Sequence, residues 1–368
     1  MPGQPFRSNV NSPTFDIRLM KIGFLIYGSL DTLSGGYMYD RKLVEYLRMQ
    51  GDAVEIFSLP WRNYAAHLSD NFSYQLPGEL DILIQDELNH PSLITANHKK
   101  HPYPIVSLVH HLRCSELRPK WQNNLYRVVE KKYLHSVDGF IFNSQTTREV
   151  VAELMDHGKP SITAYPPTDR FGDAISVEEI KKRAAGTPLK IIFLGNIIAR
   201  KGLDTLLNAI RSLSFNLQLD IVGSLNTEPN YAKKMQEFVT TNGLSSVVNF
   251  HGALDHEPLI EKLKQAHILV VPSSYEGFGI VYLEGMCFGL PAIGTTAGAA
   301  GEIIEHKKTG CLIKPGDHRT IAAYISELET DRSLLTELSL NAHRRYTQQP
   351  AWTQTAGQIR AFLQNMIG

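Results

Sequence analysis

Short apolar runs alternate along the chain with longer stretches in which apolar positions recur every three or four residues. In the first half the short runs are KIGFLIYG from Lys21, AVEIFSL from Ala53, DILIQDEL from Asp81, PIVSLVHH from Pro104 and DGFIFNS from Asp138. In the second half they are LKIIFLGN from Leu189, LQLDIVGS from Leu217, VVNFHGAL from Val247, HILVVPSS from His267, LPAIGTT from Leu290 and GCLIKPG from Gly310. Runs of Ile, Val and Leu with little alternation belong to strands buried on both faces, hence to parallel sheets. Stretches between them, such as MYDRKLVEYLRMQG closed by Gly51, carry the helical period. Strand and helix alternating, twice over, predict an α/β chain of two Rossmann-like, doubly wound parallel-sheet domains. Ligands of such sheets sit beyond the carboxyl ends of the strands, so two facing domains would hold one in a central cleft.

The stretch AYPPTDRFGDAISVEEIKKRAAGTP, residues 164–188, is rich in Pro, Gly and charge and marks the boundary. Residues 1–19 form a tail rich in Pro, Ser and Asn. MKIGFLIYG, from Met20, reads as the start of the fold and as an alternative translation start. Residues 20–168 then make the first domain and 169–351 the second. With 368 residues, each domain is long enough for its own core. Composition narrows the function. Lys plus Arg and Asp plus Glu cancel at 37 each, so no global field recruits nucleic acid or lipid and any basic patch is local. The three cysteines are odd in number, dispersed and without a C-x-x-C, which reads as reduced thiols of a cytoplasmic protein rather than a disulfide framework or zinc site. No apolar run reaches the roughly 18 residues a membrane span needs, and the N-terminus lacks the apolar core of a signal peptide.

The chemistry concentrates in SSYEGFGIVYLEGMCFGLPAIG, Ser273–Gly294, where Glu276 and Glu284 flank a Gly-Phe-Gly corner. A hydrolytic pair would need carboxyls about 5–9.5 Å apart. Eight helical residues separate them by about 12 Å along the axis, which suits a sugar–phosphate–ribose ligand better than one breaking bond. Glu276 in the loop is then placed to grip sugar hydroxyls, and Glu284 in the helix to grip ribose hydroxyls. Gly277, Phe278, Gly279 and Ile280 would present backbone N–H groups at a helix N-terminus, where an anion is favoured. The competing reading is a surface loop followed by an ordinary helix glutamate. In FLGNIIARKGLDTLLNAI a strand ends at Gly195 and a helix starts near Lys201, whose ammonium suits a diphosphate leaving group; solvated cap charges are the bland alternative for Arg200 and Lys201. In YGSLDTLSGGYMYD, Gly35 and Gly36 follow the first strand and would permit close approach of backbone to phosphate. In PIVSLVHHLRCSE, His110 and His111 end a strand, and alternation sends only one of them to the cleft. There is no D-x-D, P-loop or H-E-x-x-H, and GFGIVY does not complete G-x-G-x-x-G. A metal-free leaving group would depend on Lys201, loop amides and the helix dipole.

The stretch VVPSSYEGFGIVYLEGMCFGLPAIGTTAGAAGEIIEHKKTGCLIKPGD, residues 270–317, resembles the donor-site signature of the retaining, GT-B-fold glycosyltransferases of family 4, the glycosyl transferases group 1. The likeness runs from Met20 over nearly the whole chain and is strongest from Lys190 to Asp317. It implies a hexosyltransferase without cofactor or metal, using a nucleotide diphosphate sugar, a UDP- or GDP-sugar by expectation, and a carbohydrate, lipid-linked or small-molecule acceptor. It implies that Glu276 contacts the donor sugar, Glu284 the ribose, Lys201 the diphosphate and His110 the reacting centre, with Gly35 and Gly36 crossing toward the phosphates. It also implies that the last helix, residues 352–368, returns to the first domain. Asn196 departs from the pattern, since an Arg is expected after Gly195; Arg200 is the candidate substitute, and the departure keeps a non-catalytic binding subunit in view beside a nucleotide-sugar epimerase. Residues 99–132 hold eight Lys or Arg against two Glu. After Pro119, Lys120, Arg127 and Lys131 share one helical stripe, with Trp121, Leu125 and Val128 beside it. The readings are a solvated face over a packed one, or contact with an anionic acceptor or the cytoplasmic face of a membrane.

Overall fold

The computed structural model describes residues 18–32, 34–167, 169–172 and 175–368, so the tail expected at 1–19 lies almost wholly outside the described residues. Two six-stranded, all-parallel sheets organise the chain, one per domain. The first contains β1 (Lys21–Tyr27), β2 (Ala53–Leu59), β3 (Ile82–Asp86), β4 (Ile105–Val109), β5 (Gly139–Phe142) and β6 (Ser161–Thr163) in the order β2-β1-β3-β4-β5-β6. The second contains β7 (Leu189–Leu194), β8 (Leu217–Val222), β9 (Val248–Gly252), β10 (Ile268–Val270), β11 (Ala292–Thr295) and β12 (Gly310–Ile313) in the order β12-β11-β10-β7-β8-β9.

Burial on both faces explains the apolar runs. Along β1, Ile22, Phe24 and Ile26 enter one core while Leu25 enters the core on the opposite face. One strand escaped the sequence reading: β6 has three residues and none is fully buried. It sits at the sheet edge, where one-sided packing leaves little apolar signal. The last helix, Trp352–Ile367, packs on the first domain beside the helix Gly35–Met49; Ala356, Ile359 and Leu363 fill the same core as β1. Its Arg360 closes the contact with Nε 2.7 Å from Asp52 Oδ2 and Nη2 3.0 Å from Oδ1.

Each sheet reverses its strand order beside its first strand, between β1 and β3 and between β7 and β10. These are the switch points where open α/β sheets bind ligands. The loops after β1 and β4 meet the loop after β10 in the cleft between the domains. Cross-cleft bonds fix the arrangement: Ser144 Oγ donates to Gly277 O at 3.0 Å. The Glu302 carboxylate accepts from the Gln145 and Thr146 N–H groups at 2.9 and 2.7 Å, capping helix Gln145–Leu154 from the other domain.

Candidate active site

The carboxylate of Glu276 is the focus of the second domain's side. Its main chain is tied on both flanks: Glu276 N–H donates to Ala297 O at 3.2 Å, and Ala299 N–H donates to Glu276 O at 2.8 Å. Gly298, with φ +80°, makes this approach workable, since a Cβ there would lie 2.0 Å from Glu276 O. Oε1 accepts from Lys201 Nζ at 2.5 Å and from Ser273 Oγ at 2.6 Å, and Arg200 Nη1 stands 3.7 Å from Oε2. Burial by itself would raise the Glu276 pKa. The charges of Lys201 and Arg200 and the two hydrogen bonds outweigh it and hold the carboxyl down at about 2. Lys201 is pulled below its ordinary value by the same burial, against the attraction of Glu276.

Lys201 ends a short 3-10 turn, Ala199–Lys201, and the helix proper begins at Leu203 after Gly202 in the left-handed region, φ +68°. The helix therefore starts two residues later than the sequence suggested, and Lys201 is a loop residue turned back into the cleft. Arg200 does not point into open solvent; its Nη1 donates to Tyr275 O at 2.8 Å. Asn196 is half-buried at the start of this loop, its carbonyl accepting from Ile198 N–H at 2.9 Å.

Glu284 lies in the helix Ile280–Cys287, as buried as Glu276 but with one cation instead of two. Arg170 Nη1 is 2.5 Å from its Oε1. Burial raises the Glu284 pKa, and Arg170 and Lys201 reverse only part of that rise. Arg170 comes from the interdomain stretch, so that stretch is more than a linker. The corner Gly277-Phe278-Gly279 ends in Gly279 as N-cap, and no side chain caps the helix. Tyr282 N–H donates to Gly279 O at 2.9 Å, so the N–H groups ahead of it, of Ile280 and Val281, are the ones that suit an anion.

The first domain closes over this corner. A Cβ on Gly35 would lie 3.5 Å from Ile280 Cγ2, one on Gly36 3.3 Å from His110 Cδ2, and one on Gly277 2.6 Å from His110 O. Gly35, Gly36, His110, Gly277 and Ile280 therefore meet across the cleft. His110 is buried with Nε2 2.9 Å from Asp40 Oδ1. Burial would lower its pKa, but Asp40, with Asp86 and Glu87 behind it, lifts it to about 9. Asp86 is itself pushed well above its usual value by burial and by Asp40, and Asp40 Oδ2 is buried with no hydrogen-bond partner. His111 takes the opposite side, with Nε2 3.1 Å from Glu116 Oε1.

Two side-chain sets bring metal-ligating atoms within 4.8 Å of one another, Asp40–Asp86–His110 and Glu87–His90–Glu130. A ligand histidine must offer a lone pair. In the first set the proton held between His110 and Asp40 occupies that position. In the second, His90 bonds Tyr64 and the Glu87 carbonyl, while Glu130 accepts the Arg113 and Cys114 N–H groups. Sequence reasoning missed Arg170, Asp40 and Ser273. Asp40 and Ser273 carried local signals, the first one helical turn after Gly36 and the second three residues before Glu276.

Two Rossmann-like domains facing a cleft, with these loops at both switch points, define a GT-B fold. Residues 176–345 match the model of the family described as glycosyl transferases group 1. An uncharacterized glycosyltransferase of Methanocaldococcus jannaschii is 30% identical over 169 residues, 46% of each chain. A GDP-mannose-dependent alpha-(1-6)-phosphatidylinositol monomannoside mannosyltransferase of Mycobacterium tuberculosis is 27% identical over 252 residues, 64% of each chain. The chain thus spans about half to just under two thirds of the length of these curated relatives. Among solved structures, sucrose-phosphate synthase from Thermosynechococcus elongatus superposes with a TM-score of 0.79 at 20% identity, covering 95% of this chain and 99% of that one. Anabaena HepE, solved with UDP and glucose, gives 0.72 at 19% identity, with 94% and 99% covered. These structural likenesses carry the fold.

Proposed function

We propose that the protein is a retaining glycosyltransferase of family 4 that moves a hexose from a nucleotide diphosphate sugar to an acceptor hydroxyl. The observation that carries this reading is the Glu276–Lys201 pair beneath an uncapped helix start, with Glu284 eight residues further on. The donor sugar lies at Glu276, the ribose at Glu284, and the diphosphate between Lys201 and the N–H groups of the Gly277–Ile280 turn. Lys201 and those N–H groups are already oriented, so they stabilise the charge that grows on the diphosphate as the glycosidic bond breaks. Glu276 is ionised and both of its oxygens face cations, which suits a hydroxyl acceptor better than a nucleophile. Retention then follows from attack on the face the leaving group departs from, with the departing phosphate taking the acceptor's proton. His110, cationic up to about pH 9, adds positive charge on the opposite wall.

The donor is proposed to be a UDP- or GDP-sugar, since the Mycobacterium tuberculosis relative is named as GDP-mannose-dependent and HepE was solved with UDP and glucose. The test is incubation of UDP-glucose and GDP-mannose with and without a glycan acceptor pool, in buffer containing EDTA. Transfer with retained anomeric configuration supports the reading. Epimerised sugar from donor alone would make it an epimerase, and binding without turnover a non-catalytic subunit.

A second element of the proposal concerns the helix Lys120–His135. Leu117, Trp121, Leu125 and Val128 are all more than half exposed, so the stripe beside the basic one is not packed as its bland reading required. Among the described residues no helix is long and apolar enough to cross a membrane. We propose that this face, with Lys120, Arg127 and Lys131 beside it, rests on an anionic membrane surface. Flotation with phosphatidylglycerol vesicles, lost on Trp121→Glu, tests it; equal recovery of both proteins in the unbound fraction contradicts it.

A further inference from the structure

A cavity of about 440 Å³ opens in the first domain beside the end of β4, and the donor-site residues do not account for it. Three guanidinium groups line it, and they differ in their partners. Arg62 is paired with Asp70, and Arg118 Nη2 stands 2.6 Å from Glu116 Oε2. Among the described residues, the Arg113 side chain makes neither an ion pair nor a hydrogen bond, and its Nε is buried without an acceptor. Its place is nonetheless firmly built. The Arg113 and Cys114 N–H groups donate to the Glu130 carboxylate at 2.5 and 3.1 Å. The guanidinium lies over two aromatic rings, 4.8 Å from the Tyr126 centroid and 5.3 Å from that of Tyr64.

A guanidinium held by its faces keeps its N–H edge for a planar or tetrahedral anion. The buried Nε without an acceptor is costly, and a bound anion would supply that acceptor. The nearby acids do not supply the partner. Glu130 is spent on backbone N–H groups, and Glu87, which burial pushes up to about 7, carries only part of a charge at neutral pH.

The rim adds a flat apolar surface. Trp61 is 55% exposed and packs at a tilt of 42° near Tyr27, with ring centroids 5.2 Å apart. It sits over Gly28, where a Cβ would come within 2.6 Å of the indole. An exposed indole braced in this way offers a face for the C–H groups of a sugar ring. The cavity also reaches the reacting centre. His111 lines it, a Cβ on Gly277 would lie 3.1 Å from His111 Cβ, and the His111 ring is 6.1 Å from that of Tyr275, the neighbour of Glu276.

Resting on the transferase reading, we infer that this cavity holds the acceptor, and that the acceptor is a sugar or polyol bearing a phosphate or carboxylate that Arg113 reads. The anion belongs either to a soluble sugar or to a membrane lipid headgroup.

Calorimetric titration of wild type, Arg113→Ala and Arg113→Lys separates the cases. The probes are glucose 6-phosphate, glucuronate, glucose and phosphatidylinositol vesicles, with UDP-glucose and GDP-mannose titrated in parallel. The expected result is binding of an anionic probe at least about tenfold tighter than glucose, lost in Arg113→Ala and only partly restored by Arg113→Lys, which keeps charge but not the fork. Donor affinity unchanged in the variants shows that they are folded. Binding confined to vesicles and equally dependent on Arg113 assigns the lipid source; binding of a soluble probe assigns the other. Glucose binding as tightly as the anions, no probe binding while the donor binds, or indifference to Arg113→Ala overturns the inference. Failure of the donor itself to bind would instead count against the transferase reading.

Discussion

Glu276 and Glu284 are eight residues apart and almost equally buried, at 4% and 7% exposure, yet the structure treats their charges in opposite ways. Around Glu276 two cations and a hydroxyl converge, and its pKa falls to about 2. Around Glu284 burial outweighs the contact with one half-exposed arginine and the more distant charge of Lys201, and its pKa rises. Burial alone therefore decides neither role. On the proposed reading, the first region holds a permanent charge at the bond being broken. The second is a softer carboxylate, suited to hydroxyl groups whose bonding changes little during reaction.

The sharpest way to break this contrast is Glu276→Ala. It removes the proposed sugar contact and leaves Lys201 buried without its counter-ion, so transfer should fall by about 10³-fold or more, with a thermal midpoint that also drops. Wild-type turnover in initial-rate assays would contradict the role of the pair. Next in size is Lys201→Ala, with an expected loss in kcat of about 10²–10³-fold and no dependence on added Mg²⁺ or Mn²⁺ in either protein. Rates that collapse in EDTA would place the diphosphate on a metal instead of on Lys201.

Glu284→Ala should raise the donor KM by about tenfold while leaving kcat near wild type, the signature of lost uniform binding. Arg170→Ala should move KM in the same direction by less. A collapsed kcat in steady-state kinetics of Glu284→Ala would erase the difference between the two carboxylates.

The opposite wall gives a pH test. The folded pKa of His110 is raised from the ordinary histidine range to about 9. The Asp40–His110 pair therefore adds stability in full below about 6.5, and that contribution disappears as pH rises through about 9. An alkaline limb of kcat/KM should appear near there. Asp40→Asn removes the charge that raises the pKa, so the limb should move to lower pH; an unmoved limb in the pH–rate profile would detach activity from this histidine. The smallest effect expected is that Arg200→Ala weakens nucleoside diphosphate binding more than Asn196→Ala does, because a charged donor outweighs an amide. Calorimetry showing the reverse order would remove Arg200 as the replacement for the missing arginine.

The two walls of the cleft were unequally legible in the sequence. The second domain writes its site in two continuous stretches, Gly195–Lys201 and Ser273–Glu284, each a strand end followed by a loop, so residue order alone exposes it. The first domain assembles its wall from pieces far apart in the chain. Asp40 meets His110 across 70 residues, and Arg113 gains meaning only through Tyr64 and Tyr126. Arg170 was hidden differently, inside a stretch whose Pro and Gly content marks a boundary. The apolar stripe of the helix Lys120–His135 had the right period for burial, but period does not reveal whether a partner element exists to cover it. The edge strand β6 was missed because three half-buried residues carry no pattern.

The most direct test of the account is a product analysis: the anomeric configuration of sugar transferred from UDP-glucose or GDP-mannose, followed by proton NMR in the presence of EDTA, for wild type and Glu276→Ala side by side. The account predicts a retained, α-configured product from wild type and none from the variant. An inverted product, or equal product from both proteins, would contradict it.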